Sequence, residues 1–317
     1  MRWLEGRLGL VVRALGLTLT LASLLIVGSQ IVDASGTLGA EFSNPIFVTA
    51  LLFGILGYAL LCALIGFAWT LLARGFEGSG CLGFRDGMII FGRSQILKYL
   101  PSNVLHLVGR HGMARAIGAS HSSLLLATAA ESALLVTAGA AMALVFALPL
   151  LVRFVVAPIS QSVTSLSIIV ALGALGITAL LWLKYKGYLD AKHVWYFAAA
   201  ILLYTCFFLL NGAILYALLL AADGLVLQPW LIVGVTASAW LGGFLVPGAP
   251  AGLGIREMIL LSGLELAGSA GPSALAAAIG YRIVTFGGDV VVALVSLAMS
   301  RPVRKPVEAG RPPSSHY

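Results

Sequence analysis

Six ionisable residues fall where the sequence offers them little water: Arg110, Glu131, Arg256, Glu257, Arg282 and Asp289. An ionisable side chain within a membrane span costs at least ~2.5 kcal/mol on insertion scales, so each of them needs a partner or a task. Glu131 lies inside the apolar stretch Ser122 to Leu151, and Glu257 abuts an interruption in a later one. Arg282 and Asp289 share the last stretch, seven residues apart and hence on one helical face. Guanidinium forks match phosphate oxygens, and helices restarting after a break would add oriented N–H groups. Together these residues form a candidate site for a phosphate-bearing lipid headgroup. The competing reading is that Arg256-Glu257, Arg282, Asp289 and Glu131 neutralise one another and fix helix packing.

Other chemistries find less support. His106, His111 and His121 are spaced by five and ten residues, which does not bring all three to one helical face, so no metal site is expected. The Gly248 to Gly254 stretch lacks the Gly-Lys-Ser/Thr end of a phosphate loop, and no Gly-x-Ser-x-Gly or His-Glu-x-x-His motif occurs. No cofactor and no catalytic residue is assigned. Cys62, Cys81 and Cys206 form no close pair. Tyr99, Tyr281 and Trp240 read as interfacial or packing aromatics. The formal charge of +7 comes from basic residues beside apolar stretches, where attraction to anionic lipid headgroups explains them better than nucleic acid does.

The elements that must position these residues are membrane spans. With 60% hydrophobic and only 10% charged residues, the chain is too apolar for an ordinary soluble domain. Its apolar runs exceed strand length and do not alternate, so an all-α integral membrane fold is expected. Six spans are predicted: Leu8 to Val32, Pro45 to Ala73, Ser122 to Leu151, Leu166 to Leu183, Val194 to Ala222 and Ser273 to Met299. Residues 1–300 form one polytopic domain, and the Pro- and Arg-rich residues 301–317 read as a disordered cytoplasmic tail. Arg2 and Arg7 precede the first span while Asp33 to Asn44 holds no Lys or Arg, which puts the amino terminus in the cytoplasm of an inner-membrane protein. The Arg74 to His121 connection, the Lys184 to His193 loop and the carboxy terminus fit the same side. Arg153 is the exception, on the outer side.

Two further segments are irregular. The first, Phe84 to Gly118, is broken at Pro101 and passes through Gly109 to Arg110. The second, Trp230 to Gly268, is broken by Pro247, Pro250, Gly252 and Gly254 before Arg256-Glu257. Unpaired backbone groups are tolerated at membrane depth only beside protein or a water-filled cavity. In each segment an arginine follows the first proline by nine residues, and three predicted spans separate the two. An odd number of spans would send the second segment in from the opposite side, as in inverted-repeat transporters with a midplane site. The competing reading is two unrelated loops.

The segments Leu97-Lys98-Tyr99-Leu100-Pro101 to Val108-Gly109-Arg110, and Phe244-Leu245-Val246-Pro247 through Gly252-Leu253-Gly254-Ile255-Arg256-Glu257, resemble the lysylphosphatidylglycerol synthase transmembrane-region family. Tyr281-Arg282 ahead of Gly287-Gly288-Asp289 is similar to that family's closing helix. The likeness runs from about the first span to Met299. It departs at Ser102-Asn103, Ala249 and Ala251, where glycines are usual. The resemblance implies functional weight at Pro101, Gly109, Arg110, Pro247, Gly252, Gly254, Arg256, Glu257 and Arg282. It also implies movement of lipids between leaflets: phospholipids, lipid-linked sugars or hopanoid-type lipids. Lysyl transfer is not expected, because the synthase's soluble domain follows its membrane region and only a short tail follows Met299 here. Membrane lipids with an anionic or phosphate-bearing headgroup are the expected partners, with lipid-biosynthesis enzymes a further candidate. The alternative function is a membrane-embedded enzyme or accessory subunit acting on a polyprenyl-phosphate or hopanoid lipid, with Glu131, Glu257 or Asp289 as acid or base. A third is a purely structural membrane subunit.

Overall fold

The computed structural model describes residues 35–77, 81–99, 105–155, 191–223, 228–246, 250–269 and 271–300, together with Ser29 and Val32. The expected spans Leu8 to Val32 (apart from those two residues) and Leu166 to Leu183, the prolines Pro101 and Pro247, and the tail 301–317 lie outside them. All regular elements among the described residues are helical. They are α1 (Ser35–Ser43), α2 (Pro45–Glu77), α3 (Phe84–Gln95), a 3-10 turn (Ile96–Tyr99), α4 (Leu105–Ala116), α5 (His121–Val155), α6 (Ala191–Ala221), α7 (Trp230–Leu245), a second 3-10 turn (Pro250–Gly252), α8 (Ile255–Leu266) and α9 (Pro272–Met299).

Four helices are long and apolar enough to cross a membrane: Pro45–Glu77, His121–Ala147, His193–Ala221 and Pro272–Met299. They match four of the expected spans to within a few residues. Their starts follow local chemistry. Pro45 opens α2 behind Asn44, whose Oδ1 accepts the Ile46 N–H at 3.0 Å, and Pro272 opens α9. The bundle is apolar on both sides of its helices. Trp69, Tyr204, Phe207 and Phe208 fill the interior, while Phe53 and Leu60 are each 72% exposed. Such outward apolar faces suit lipid as the surrounding solvent.

Small residues set the helix order. Gly280 lies against Phe47 and Leu51, and Gly288 against Tyr58 and the Ala59 backbone, so α9 runs parallel to α2. Gly54 meets Ile214 while Gly75 meets Tyr196, so α6 runs antiparallel to α2. Three helix ends gather at the carboxy end of α2: the Ser120 N–H donates to both Glu77 carboxylate oxygens at 2.9 Å, His193 Nε2 lies 3.1 Å from the Gly75 carbonyl, and Arg74 Nη1 donates to the Leu82 carbonyl at 2.9 Å. The carboxy end of α9 joins this side, where Arg85 Nη2 donates to the Met299 carbonyl at 2.9 Å.

From that end α3 turns back along α2, with Gly87 against Thr70 and Phe91 against Gly66, and α4 returns beside α5, where His111 meets His121. At the other end, Gly234 near the start of α7 packs on Ala147 near the end of α5, and Gly139, deeper in α5, meets Leu241. The helix α8 folds back on α7, with Gly263 against Val235 and Gly242 against Ile259. The two 3-10 turns, one at the tip of each hairpin, touch each other.

Candidate functional site

The six residues singled out in the sequence do not gather into one cluster: Arg110 pairs with Glu131 and Arg282 with Glu257, Asp289 takes a partner from outside the six, and Arg256 forms no ion pair among the described residues. Arg110, buried on α4, reaches both oxygens of Glu131 with Nη1 at 2.8 and 2.7 Å. Its Nε donates to Ser94 Oγ at 3.3 Å, and the guanidinium lies 5.0 and 4.2 Å from the ring centres of Trp69 and Phe91. Glu131 is ten residues from the start of α5, about 15 Å along the axis and thus half of a ~30 Å hydrocarbon core. The pair satisfies itself with little left over.

Asp289, fully buried on α9, is held by the first 3-10 turn. Lys98 Nζ and Tyr99 OH each approach its Oδ2 at 2.6 Å, and Cys62 Sγ donates to Oδ1 at 3.3 Å. Arg282, two turns earlier on the same helix, serves the second break. Its two Nη groups donate to the Ala251 carbonyl at 3.2 Å, and its Nε lies 3.2 Å from Glu257 Oε1. The last contact is one of charge rather than an aligned hydrogen bond, and both Glu257 oxygens are buried without a donor among the described residues. Helix α9 is therefore the post to which both hairpin tips are fastened, the first through Asp289 and the second through Arg282.

Between the tips lies a cavity of about 100 Å³. Its wall includes Gln95, Lys98, His106, Arg110, Glu131 and Arg256, with Tyr58, Trp240 and Phe244 as aromatic sides. Of the three cations there, Arg110 is matched by Glu131 and Lys98 by Asp289. Arg256 is different: it forms no ion pair among the described residues, and its Nε is buried with no acceptor. Two glycines make its slot, since a Cβ on Gly252 would fall 2.8 Å from Arg256 Nε and one on Gly243 would also collide with it. The turn that delivers it is tight. Ala251, Gly252 and Gly254 have φ of 50°, 71° and 80°, and the non-glycine Ala251 bears a left-handed conformation that disfavours a Cβ.

Two helices begin at this cavity, α4 with His106 and Leu107 in its first turn and α8 with Arg256 in its own. Both bring the positive end of a helix dipole to the wall. Neither a protein-family model nor a curated protein matches the chain. The site therefore rests on its geometry.

Of the sequence candidates, Arg110, Glu131 and Arg256 line the cavity, while Glu257, Arg282 and Asp289 lie outside its lining and hold the elements around it. Lys98, Tyr99 and Cys62 were not among the candidates, although Lys98 is a cation on an apolar approach and carries the signal used for the others. Gly109 packs against Leu97, where a Cβ would collide. His111 Nε2 lies 2.9 Å from His121 Nδ1, and His106 is elsewhere, at the cavity. Among the described residues no group of three or more metal-ligating side chains occurs.

Proposed function

We propose that the chain is a lipid transporter that moves a phosphate-bearing lipid between leaflets, with the headgroup passing through the cavity between the two hairpin tips. The observation that carries this reading is Arg256, a guanidinium held in a glycine slot at the cavity wall with a buried donor left unused among the described residues. An unsatisfied buried donor costs about 1–3 kcal/mol, more for a charged group, and an incoming anion would relieve it. Lys98, Arg110 and the first turns of α4 and α8 add positive potential around the same space.

The two hairpins are read as re-entrant segments from opposite faces, an inverted repeat whose tips meet near the midplane. The contacts that support this are those of α3 and α4 with the end of the bundle holding Glu77 and Ser120, and those of α7 with the end holding Ala147. In this reading the chain is an inner-membrane protein with cytoplasmic termini, as the distribution of Lys and Arg expects. The likeness to the lysylphosphatidylglycerol synthase transmembrane region points to the same class of activity. Reconstitution into vesicles with labelled phospholipid and labelled polyprenyl phosphate tests it. Movement of either lipid between leaflets without chemical change is the expected outcome, and chemical turnover of the lipid, or no movement of any phosphate-bearing lipid, would overturn it.

A further inference from the structure

Nearer the amino end of α3 than the inner cavity, and sharing Phe91 with it, an open groove of about 690 Å³ runs between α2, α3 and α9. Leu56, Leu60, Met88, Val292 and Val295 line it, and Arg85 is the one charged residue of its wall among the described residues. Along α9 the lining extends from Val291 to Met299, eight residues or about 12 Å. One leaflet of a ~30 Å hydrocarbon core is about 15 Å deep, so the lining on α9 spans most of a single leaflet. Its charged end is at the membrane surface. Arg85 donates to the carbonyl of Met299, the last residue of a spanning helix, which sets the guanidinium at headgroup level. Arg85 is exposed, and only its Nη2 is engaged there. Asp86, the neighbouring acid, turns back toward Gly83 and does not line the groove.

We propose that this groove is a binding site for one anionic phospholipid from the leaflet on the side of Arg85, with an acyl chain along Leu56, Leu60 and Val295 and the headgroup anion paired with Arg85. Depth, apolar lining and a cation at the surface end match such a lipid part by part. A loose annular lipid needs no charge, and a transported headgroup needs the inner cavity instead. The leaflet fits as well: the end of the bundle with Arg85 also holds Arg74 and Arg115, where the cytoplasmic supply of anionic lipid is expected. The site does not depend on the transport reading.

The experiment is native mass spectrometry of the full-length protein in detergent, titrated separately with dioleoyl phosphatidylglycerol and dioleoyl phosphatidylcholine. The wild type is expected to hold one phosphatidylglycerol at least about tenfold more tightly than phosphatidylcholine. Arg85→Gln should bring the two within about twofold of each other, and Ala63→Phe, which fills the groove, should weaken both. Val295→Phe gives the same readout from the facing helix if Ala63→Phe does not fold. Retained preference in Arg85→Gln, or unchanged affinity in the filled variants, would overturn the proposal. A photo-crosslinking amino acid at Met88 adds a direct reading. Adducts to lipid support the site, whereas adducts to residues 8–32 would overturn it by making the chain's own first apolar run the occupant.

Discussion

At the scale of single residues, charges buried in this chain differ in whether their demand is met at home. Arg110 is met: Glu131, Ser94 and two aromatic rings surround it. Glu131→Gln removes the counter-charge and leaves a buried guanidinium, so it is expected to cost about 3–5 kcal/mol of stability in detergent unfolding. Replacing both partners, Arg110→Leu with Glu131→Leu, should recover most of that loss. Full loss in the double variant would mean that the pair does more than compensate itself. That Arg110 and Glu131 each need a partner or a task was legible in the sequence, since both are ionisable groups in apolar surroundings; that they are each other's partner was not. That Arg256 is left over was not, because the sequence counts three basic against three acidic candidates and Lys98, which takes Asp289, was outside the count.

At the scale of elements, the two breaks were legible because proline and clustered glycine cannot continue a helix. Their fastening was not. A 3-10 turn bonded to a helix almost two hundred residues away leaves no periodic trace, and Cys62 and Tyr99 have no spacing that announces a carboxylate partner. Asp289→Asn keeps the shape of the acceptor but removes the charge that holds Lys98. The expected outcome is faster amide hydrogen exchange across residues 96–99, with the spanning helix α2 little changed. Uniform protection across both would show that the turn is held by packing alone. The left-handed conformation of Ala251, φ 50°, was not legible, because the sequence marked that residue only as an alanine in a turn otherwise rich in proline and glycine.

At the scale of the whole molecule, the sequence located closely four helices long and apolar enough to cross a membrane, because ~20-residue apolar runs are their strongest signal. It could not give their lateral order. A helix that is apolar all round has no hydrophobic face to say which side meets protein and which meets lipid, and here the order is set by close glycine contacts such as Gly288 on Ala59 and Gly234 on Ala147. The same arrangement fixes what should be accessible from each side. A single cysteine at Asp223, after α6, should react with an impermeant reagent applied to intact cells. One at His121, before α5, should react only after lysis. The reverse pattern would invert the orientation drawn from Lys and Arg.

The central claim is that Arg256 exists for a ligand and not for the fold, and Arg256→Lys tests it most directly. Lysine keeps the charge but loses the planar fork and the Nε donor that occupies the slot between Gly243 and Gly252. Lipid movement between the leaflets of reconstituted vesicles and thermal unfolding in detergent are to be measured on the same preparation. A loss of movement of at least about tenfold, with stability changed by no more than about 0.5 kcal/mol as for substitutions that disturb no structural contact, is the predicted result. Wild-type movement in the variant, or a fall in stability that accounts for the lost movement, would contradict it.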